Sequence, residues 1–194
     1  MIDRQKLYNG IDKAAWGYLF IYFNINLGTV NILPTFVGYL LFHSAIKYLS
    51  DEERELDLLN TLVGILTLWH IVSWFGDMIS LDPGELIPIA DIIISVINIY
   101  FHFQLLTNLA SIAAKYQHEG DELDKRILHC RTFQTVMLTV VIILNHLASI
   151  FAEIEMFISI ICIGILYLIA GFILMKTLFD LRSCFAEKTE EETE

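Results

Sequence analysis

A chain of 194 residues is long enough for one domain, yet 56% of it is hydrophobic and only 18% charged. That apolar share, with a mean hydropathy of +0.59, exceeds the roughly 45–50% of soluble domains. A net charge of −11 excludes a nucleic-acid-binding surface and a basic peripheral protein drawn to anionic membranes. Charges fall in blocks between long apolar runs, so the reading is an integral membrane protein of all-α class in contact with the lipid bilayer.

In chain order the apolar runs predict six transmembrane helices, over Ala14–Leu27, Ile32–Leu49, Leu58–Phe75, Leu86–Leu109, Thr132–Ala152 and Phe157–Leu178. The 12 basic residues test this count independently. Arg4, Lys6 and Lys13 precede the first run, and Lys47 and Arg54 stand at the second connection. Lys115, Lys125, Arg126 and Arg131 stand at the fourth, and Lys176, Arg182 and Lys188 at the C-terminal end. None falls on the first, third or fifth connection, which predicts three hairpins projecting outward and both termini in the cytoplasm.

The first run is short and ends in Asn24, Asn26 and Gly28. A tight outward turn over 28–34 keeps the parity of the basic residues. Gly28 suits such a turn, and Pro34 suits a helix start, where its missing N–H costs nothing. The run lacks a small-residue cleavage site and reads as retained. The acidic stretches Asp51–Glu55 and Glu119–Glu122 read as solvated cytoplasmic linkers. Residues 1–185 then form the transmembrane domain, and 186–194 a disordered acidic tail. Cys130 and Cys184 fall on the cytoplasmic side and Cys162 inside the last run, where reduced thiols are expected.

Polar residues inside the runs carry the functional signal. Asp91, Ser95, Asn98 and His102 are spaced 4, 3 and 4 apart, which aligns them on one helix face. Thr135, Thr139, His146, Ser149 and Glu153 form a similar stripe on the fifth run. Residues 70–77 and 146–153 share the pattern H-x-x-S-x-F-x-[D/E], pointing to diverged hairpin copies. Counting from the outer boundaries puts His70, Asp91 and His146 in one layer with Asp77 and Glu153 above it. Asp82, Glu85 and Glu155 add to an acidic outer mouth without a base.

This layer predicts a binding or transport site for a proton, a metal ion or a small cationic solute, lined also by Ser95 and Asn98. If a metal is held, His70, Asp91 and His146 are its expected ligands. Packing is the competing explanation, since Ser, Thr and Asn often join membrane helices by hydrogen bonds. In an interaction or sensor module the acidic linkers and tail would meet a membrane or cytoplasmic protein partner. No nucleophile elbow or phosphate-cradling glycine loop is present, so no enzymatic reaction and no resident cofactor is expected.

Two resemblances add to this. The pairs His43/His102 and His70/His146 are similar in placement to the axial histidines of six-helix di-haem b-type cytochromes, which would imply a transmembrane electron carrier. The lack of an outer base for haem propionates argues against it. The stretch Asn26-Leu27-Gly28-Thr29-Val30-Asn31-Ile32-Leu33-Pro34-Thr35-Phe36-Val37-Gly38-Tyr39 resembles the N-x-G-T-x-[D/N]-I-L-P-x-F-x-G-Y motif of small uncharacterised multi-pass proteins of Gram-positive bacteria. The resemblance implies a bacterial plasma-membrane location and no activity. Asn31 and Thr35 stand where those relatives often carry Asp.

Overall fold

A computed structural model describes residues 3–23, 26–27, 30–31, 34–79, 87–148 and 154–186. The side chains of 26, 27, 30, 31, 77, 78, 87–89, 145–148 and 154–160 are outside that description. Six helices follow one another: α1 (Arg4–Tyr22), α2 (Thr35–Leu49), α3 (Leu56–Met78), α4 (Ile87–Tyr116), α5 (Leu123–Ala148) and α6 (Ile154–Ala186). Between α1 and α2 runs a minimal antiparallel ladder of β1 (Asn26–Leu27) and β2 (Val30–Asn31), pairing Asn26 with Asn31 and Leu27 with Val30. This antiparallel pair reverses the chain where the tight turn is expected, Gly28, Thr29, Ile32 and Leu33 lying outside the described residues, and Pro34 is the N-cap of α2.

The helices differ from the apolar runs at their ends. The first begins ten residues before Ala14, because the Asp3 carboxylate accepts the Lys6 N–H at 3.1 Å and caps it. The last four extend past their runs into polar sequence at the charged end of the bundle, where amphipathic turns continue to pack. Among the described residues, α3, α4, α5 and α6 are the helices long and apolar enough to cross a membrane. α1 carries Arg4, Lys6, Asp12 and Lys13 within its 19 residues, and α2 has 15 residues, about 22 Å at 1.5 Å per residue.

Each helix packs on its sequence neighbours, and α6 returns to pack on α1, which closes the six into a ring. The α1–α6 contact is antiparallel: Asp12 meets Arg182, Trp16 meets Phe179, and Phe23 meets Phe172. The α1–α2 contact is equally regular, from Lys6–Asp51 at 3.0 Å at the charged end to Gly17 against Phe42 and Gly38. Close backbone approach holds α1 against α2. Gly10, Ala14 and Gly17 form that small-residue seam on α1, all buried. A methyl group on Gly17 would lie 2.6 Å from the Phe42 ring, and one on Gly38 2.9 Å from the Gly17 carbonyl.

The packed core sits towards the charged end. Leu7, Ile11, Leu49, Leu56, Leu59, Leu109, Ile112, Leu178 and Leu181 are buried there. Towards the other end, none of residues 90–100, 135–144 or 161–170 is buried. Leu68, Val72, Val96, Val136, Ile165 and Phe172 offer an exposed apolar surface suited to lipid.

The linker Asp51–Glu55 is docked rather than merely solvated. The Glu52 carboxylate accepts the Tyr116 hydroxyl at 2.8 Å, and Glu55 accepts Gln104 Nε2 at 2.8 Å. Glu53 accepts Ser111 at 2.8 Å and Lys115 Nζ at 2.5 Å. Lys115 and Ser111 hold the Glu53 carboxyl below its ordinary range, the lysine being the larger cause. The sequence hides this clamp, since an acidic run looks the same whether its partners are water or a helix two connections away.

Candidate functional site in the ring interior

Five helices send polar or aromatic side chains into the ring at mid-height. From α1 come Tyr18 and Tyr22, from α2 Tyr39 and Phe42, from α3 His70, from α4 Asn98, Phe101 and His102, and from α6 Tyr167. His102 is 2% exposed. Its Nδ1 stands 3.3 Å from the Tyr18 hydroxyl. Its ring lies 5.4 Å from Tyr18, 5.7 Å from Phe42 and 5.3 Å from Phe101. Tyr39 stacks on His70 with centroids 4.9 Å apart and donates its hydroxyl hydrogen to Asn98 Oδ1 at 2.6 Å. Tyr22 and Tyr167 extend the cluster, their centroids 4.7 Å apart.

Buried polar groups ordinarily have hydrogen-bond partners, yet several here have none among the described residues: His102 Nε2, Asn108 Nδ2, and both amide atoms of Gln134. Gln134 is 1% exposed. Arg131 donates to Thr107 Oγ1 at 3.0 Å, which sets the antiparallel register of α4 against α5. In that register Gln134 stands level with Gln104, about 3 Å along the axis from His102. The interior thus offers the His102 imidazole nitrogen framed by aromatic rings, with the buried Gln134 amide at nearly the same height on α5.

The α4 stripe runs from this cluster towards one end of the helix. Asp91 is exposed, Ser95 and Asn98 are half-buried, and His102 is buried. A single helix face therefore passes from exposed to enclosed over three turns.

The residues singled out by the sequence divide accordingly. His70, Asn98 and His102 meet in the cluster, with Ser95 on its approach. Asp91 stands at the exposed end and not in a layer with His70. The His146 and Asp77 side chains and all of Glu153 lie outside the described residues, as does most of the second copy of the repeated pattern. Among the described residues no three His, Cys, Asp or Glu side chains are grouped to hold a metal ion. The inner haem pair does not converge: His43 is exposed on α2, and its neighbour Phe42 is the side chain that reaches His102.

Sequence reading missed Tyr18, Tyr22, Tyr39, Tyr167, Asn108 and Gln134. The first four look like ordinary membrane aromatics. A usable signal existed in α1, where Gly10, Ala14, Gly17 and Tyr18 mark one face by size before any charge marks it. No family model matches the chain, and neither a curated protein nor a solved structure matches it.

Proposed function

We propose that this protein is a bacterial plasma-membrane component that binds or transports a small organic cation, admitted from the outer side and held by the tyrosine–histidine cluster. The observation that carries the reading is His102, enclosed by aromatic rings at the buried end of a polar stripe that begins at exposed Asp91. Tyrosine and phenylalanine faces attract cations, more strongly where water is excluded. Neutral imidazole and carboxamide groups supply acceptors for the N–H groups of such a solute. Ionisable side chains inside a membrane protein are retained against a cost, which favours a working role over packing. The donor set suits an organic cation better than a metal ion, for which carboxylate or thiolate ligands would be expected beside imidazole.

In this reading all six helices lie in the bilayer, with both termini cytoplasmic. Two features support it. α1 and α2 close the ring between α3 and α6 in antiparallel register, and the basic residues from Arg4 to Arg182 gather at one end of the bundle. The resemblance of 26–39 to the Gram-positive membrane family supports the bacterial location. Ser80→Cys labelled only from inside, or Glu190→Cys labelled only from outside, would overturn this topology.

Binding is tested with the purified full chain in detergent. A panel of primary and quaternary alkylamines is added and the unfolding temperature followed. At least one amine is expected to raise it for the native sequence and for His43→Ala, and to lose that effect in His102→Ala and Tyr39→Ala. Equal shifts in all four proteins would remove the cluster from consideration.

A further inference from the structure

A groove between α5 and α6 lies apart from the ring interior. Its innermost section, about 230 Å³, is bounded by Phe133, Leu166, Ile169, Ala170 and Ile173 and is almost wholly apolar. His129, Cys130 and Ile173 continue it into a second section of about 420 Å³, where Arg126, Lys176, Thr177 and Asp180 stand. Arg126 and Asp180 carry it on to the end of the bundle, past Asp121 and Ser183.

Seven residues separate Arg126 from Phe133, and the same number separates Leu166 from Ile173, so the apolar section runs about 10 Å along the helix axes. The groove therefore grades from hydrocarbon-like to cationic within two helical turns. Arg126 and Lys176 are exposed. At that depth they are opposed by the Asp180 carboxylate, while neighbouring Lys125 is engaged by Glu122 at 2.5 Å. The balance is locally positive in a chain whose net charge is −11. A partner protein would meet the acidic surroundings of Asp121, Glu119 and Glu122. A membrane lipid meets only the groove.

We propose that the α5–α6 groove is a binding site for one anionic phospholipid of the cytoplasmic leaflet. One acyl chain lies along Phe133, Leu166, Ile169 and Ile173, and the phosphate is held between the Arg126 guanidinium and the Lys176 ammonium. Arg126 can bond two phosphate oxygens at once, and Lys176 adds a point charge. Basic pockets between membrane helices on the cytoplasmic side recognise lipid headgroups by this combination. The site uses no residue of the interior cluster. Failure of the cation reading would leave it intact.

The test uses the full chain, stripped of lipid in mild detergent and titrated with dioleoylphosphatidylglycerol or dioleoylphosphatidylcholine under native mass spectrometry. One phosphatidylglycerol is expected to be retained with roughly tenfold preference over phosphatidylcholine. The exposed pair Arg126→Gln with Lys176→Gln should bring retention down to the phosphatidylcholine level without changing the unfolding temperature. Ala170→Trp, which fills the apolar section and leaves both bases in place, should also lower phosphatidylglycerol retention. Millimolar inorganic phosphate should not displace the lipid. Equal retention of the two lipids would overturn the proposal. So would unaltered retention in the Arg126/Lys176 variant, displacement by phosphate alone, or a groove variant that changes the number of protein copies and not the lipid bound.

Discussion

The Tyr39 ring lies flat on the His70 imidazole, 4.9 Å between centroids and 10° from parallel, which ties α2 to α3 at mid-height. The same tyrosine donates its hydroxyl hydrogen to Asn98 on α4 at 2.6 Å. One side chain thus bridges three helices. Tyr39→Phe keeps the stack and deletes the hydrogen bond, leaving the Asn98 oxygen without its donor. The expected loss is about 1 kcal/mol of unfolding free energy, the usual range for such bonds within membrane proteins. Tyr39→Ala removes stack and bond together and should cost more. Reversible unfolding in mixed detergent micelles measures both: a Tyr39→Phe protein as stable as the native sequence would show that the hydroxyl contributes nothing, and equal costs for the two variants would show that the stack contributes nothing.

Gly17 is predicted to be intolerant of any side chain. Its backbone carbonyl and the site of its missing Cβ face Gly38 and Phe42 at distances that admit no methyl group. Gly17→Ala should cost roughly 1–3 kcal/mol through separation of α1 from α2. Gly64 has nothing within 4 Å of an added Cβ, so Gly64→Ala should be neutral or slightly stabilising, alanine being the better helix former. Unfolding free energies of the two variants compared in one detergent decide the matter. A Gly17→Ala protein as stable as Gly64→Ala contradicts the seam.

The clamp on the α2–α3 linker has a defined pH dependence. Lys115 and Ser111 hold the Glu53 carboxyl below its ordinary range, so the native state binds this proton less readily than the unfolded state. The contribution is therefore complete above the unfolded value of about 4.3 and lost as pH falls through the lowered native one. Glu53→Gln should be less stable than the native sequence at pH 7, with the difference shrinking steadily on acidification below about pH 4. Unfolding temperatures measured from pH 7 to pH 3 give the comparison. A difference that stays constant with pH shows that the charge on Glu53 is not what holds the linker.

The four long apolar helices, the helix number and the chain reversal between α1 and α2 were legible because each depends on a local pattern. Apolar length marks a span, and Gly28 to Pro34 marks a reversal. His70, Asn98 and His102 were legible as polar residues in apolar helices. Their partners were not. Whether a tyrosine in an apolar helix points outward or at an imidazole depends on helix rotation, and for Tyr18 and Tyr39 that rotation goes with the close approach of Gly17 and Gly38, the residue before each on its own helix. The same dependence misplaced Asp91. The 4–3–4 spacing aligns it with His102, but whether that face is enclosed at Asp91's height depends on how far α5 and α6 stand away there. His43 failed as an interior residue for a similar reason, because one step along α2 from buried Phe42 turns the side chain by about 100°.

Under the proposed function, the stripe on α4 leads from the outer solution to an enclosed site at His102. Cysteine accessibility in whole cells tests this most directly. Asp91→Cys, Ser95→Cys and His102→Cys are placed singly in a background lacking Cys130, Cys162 and Cys184, and a membrane-impermeant thiol reagent is added outside. Asp91→Cys should label fastest, Ser95→Cys more slowly and His102→Cys least, and an amine that stabilises the purified protein should slow labelling at Ser95→Cys. Labelling of these positions only after the cytoplasmic face is opened, or His102→Cys labelling as fast as Asp91→Cys, would contradict the account.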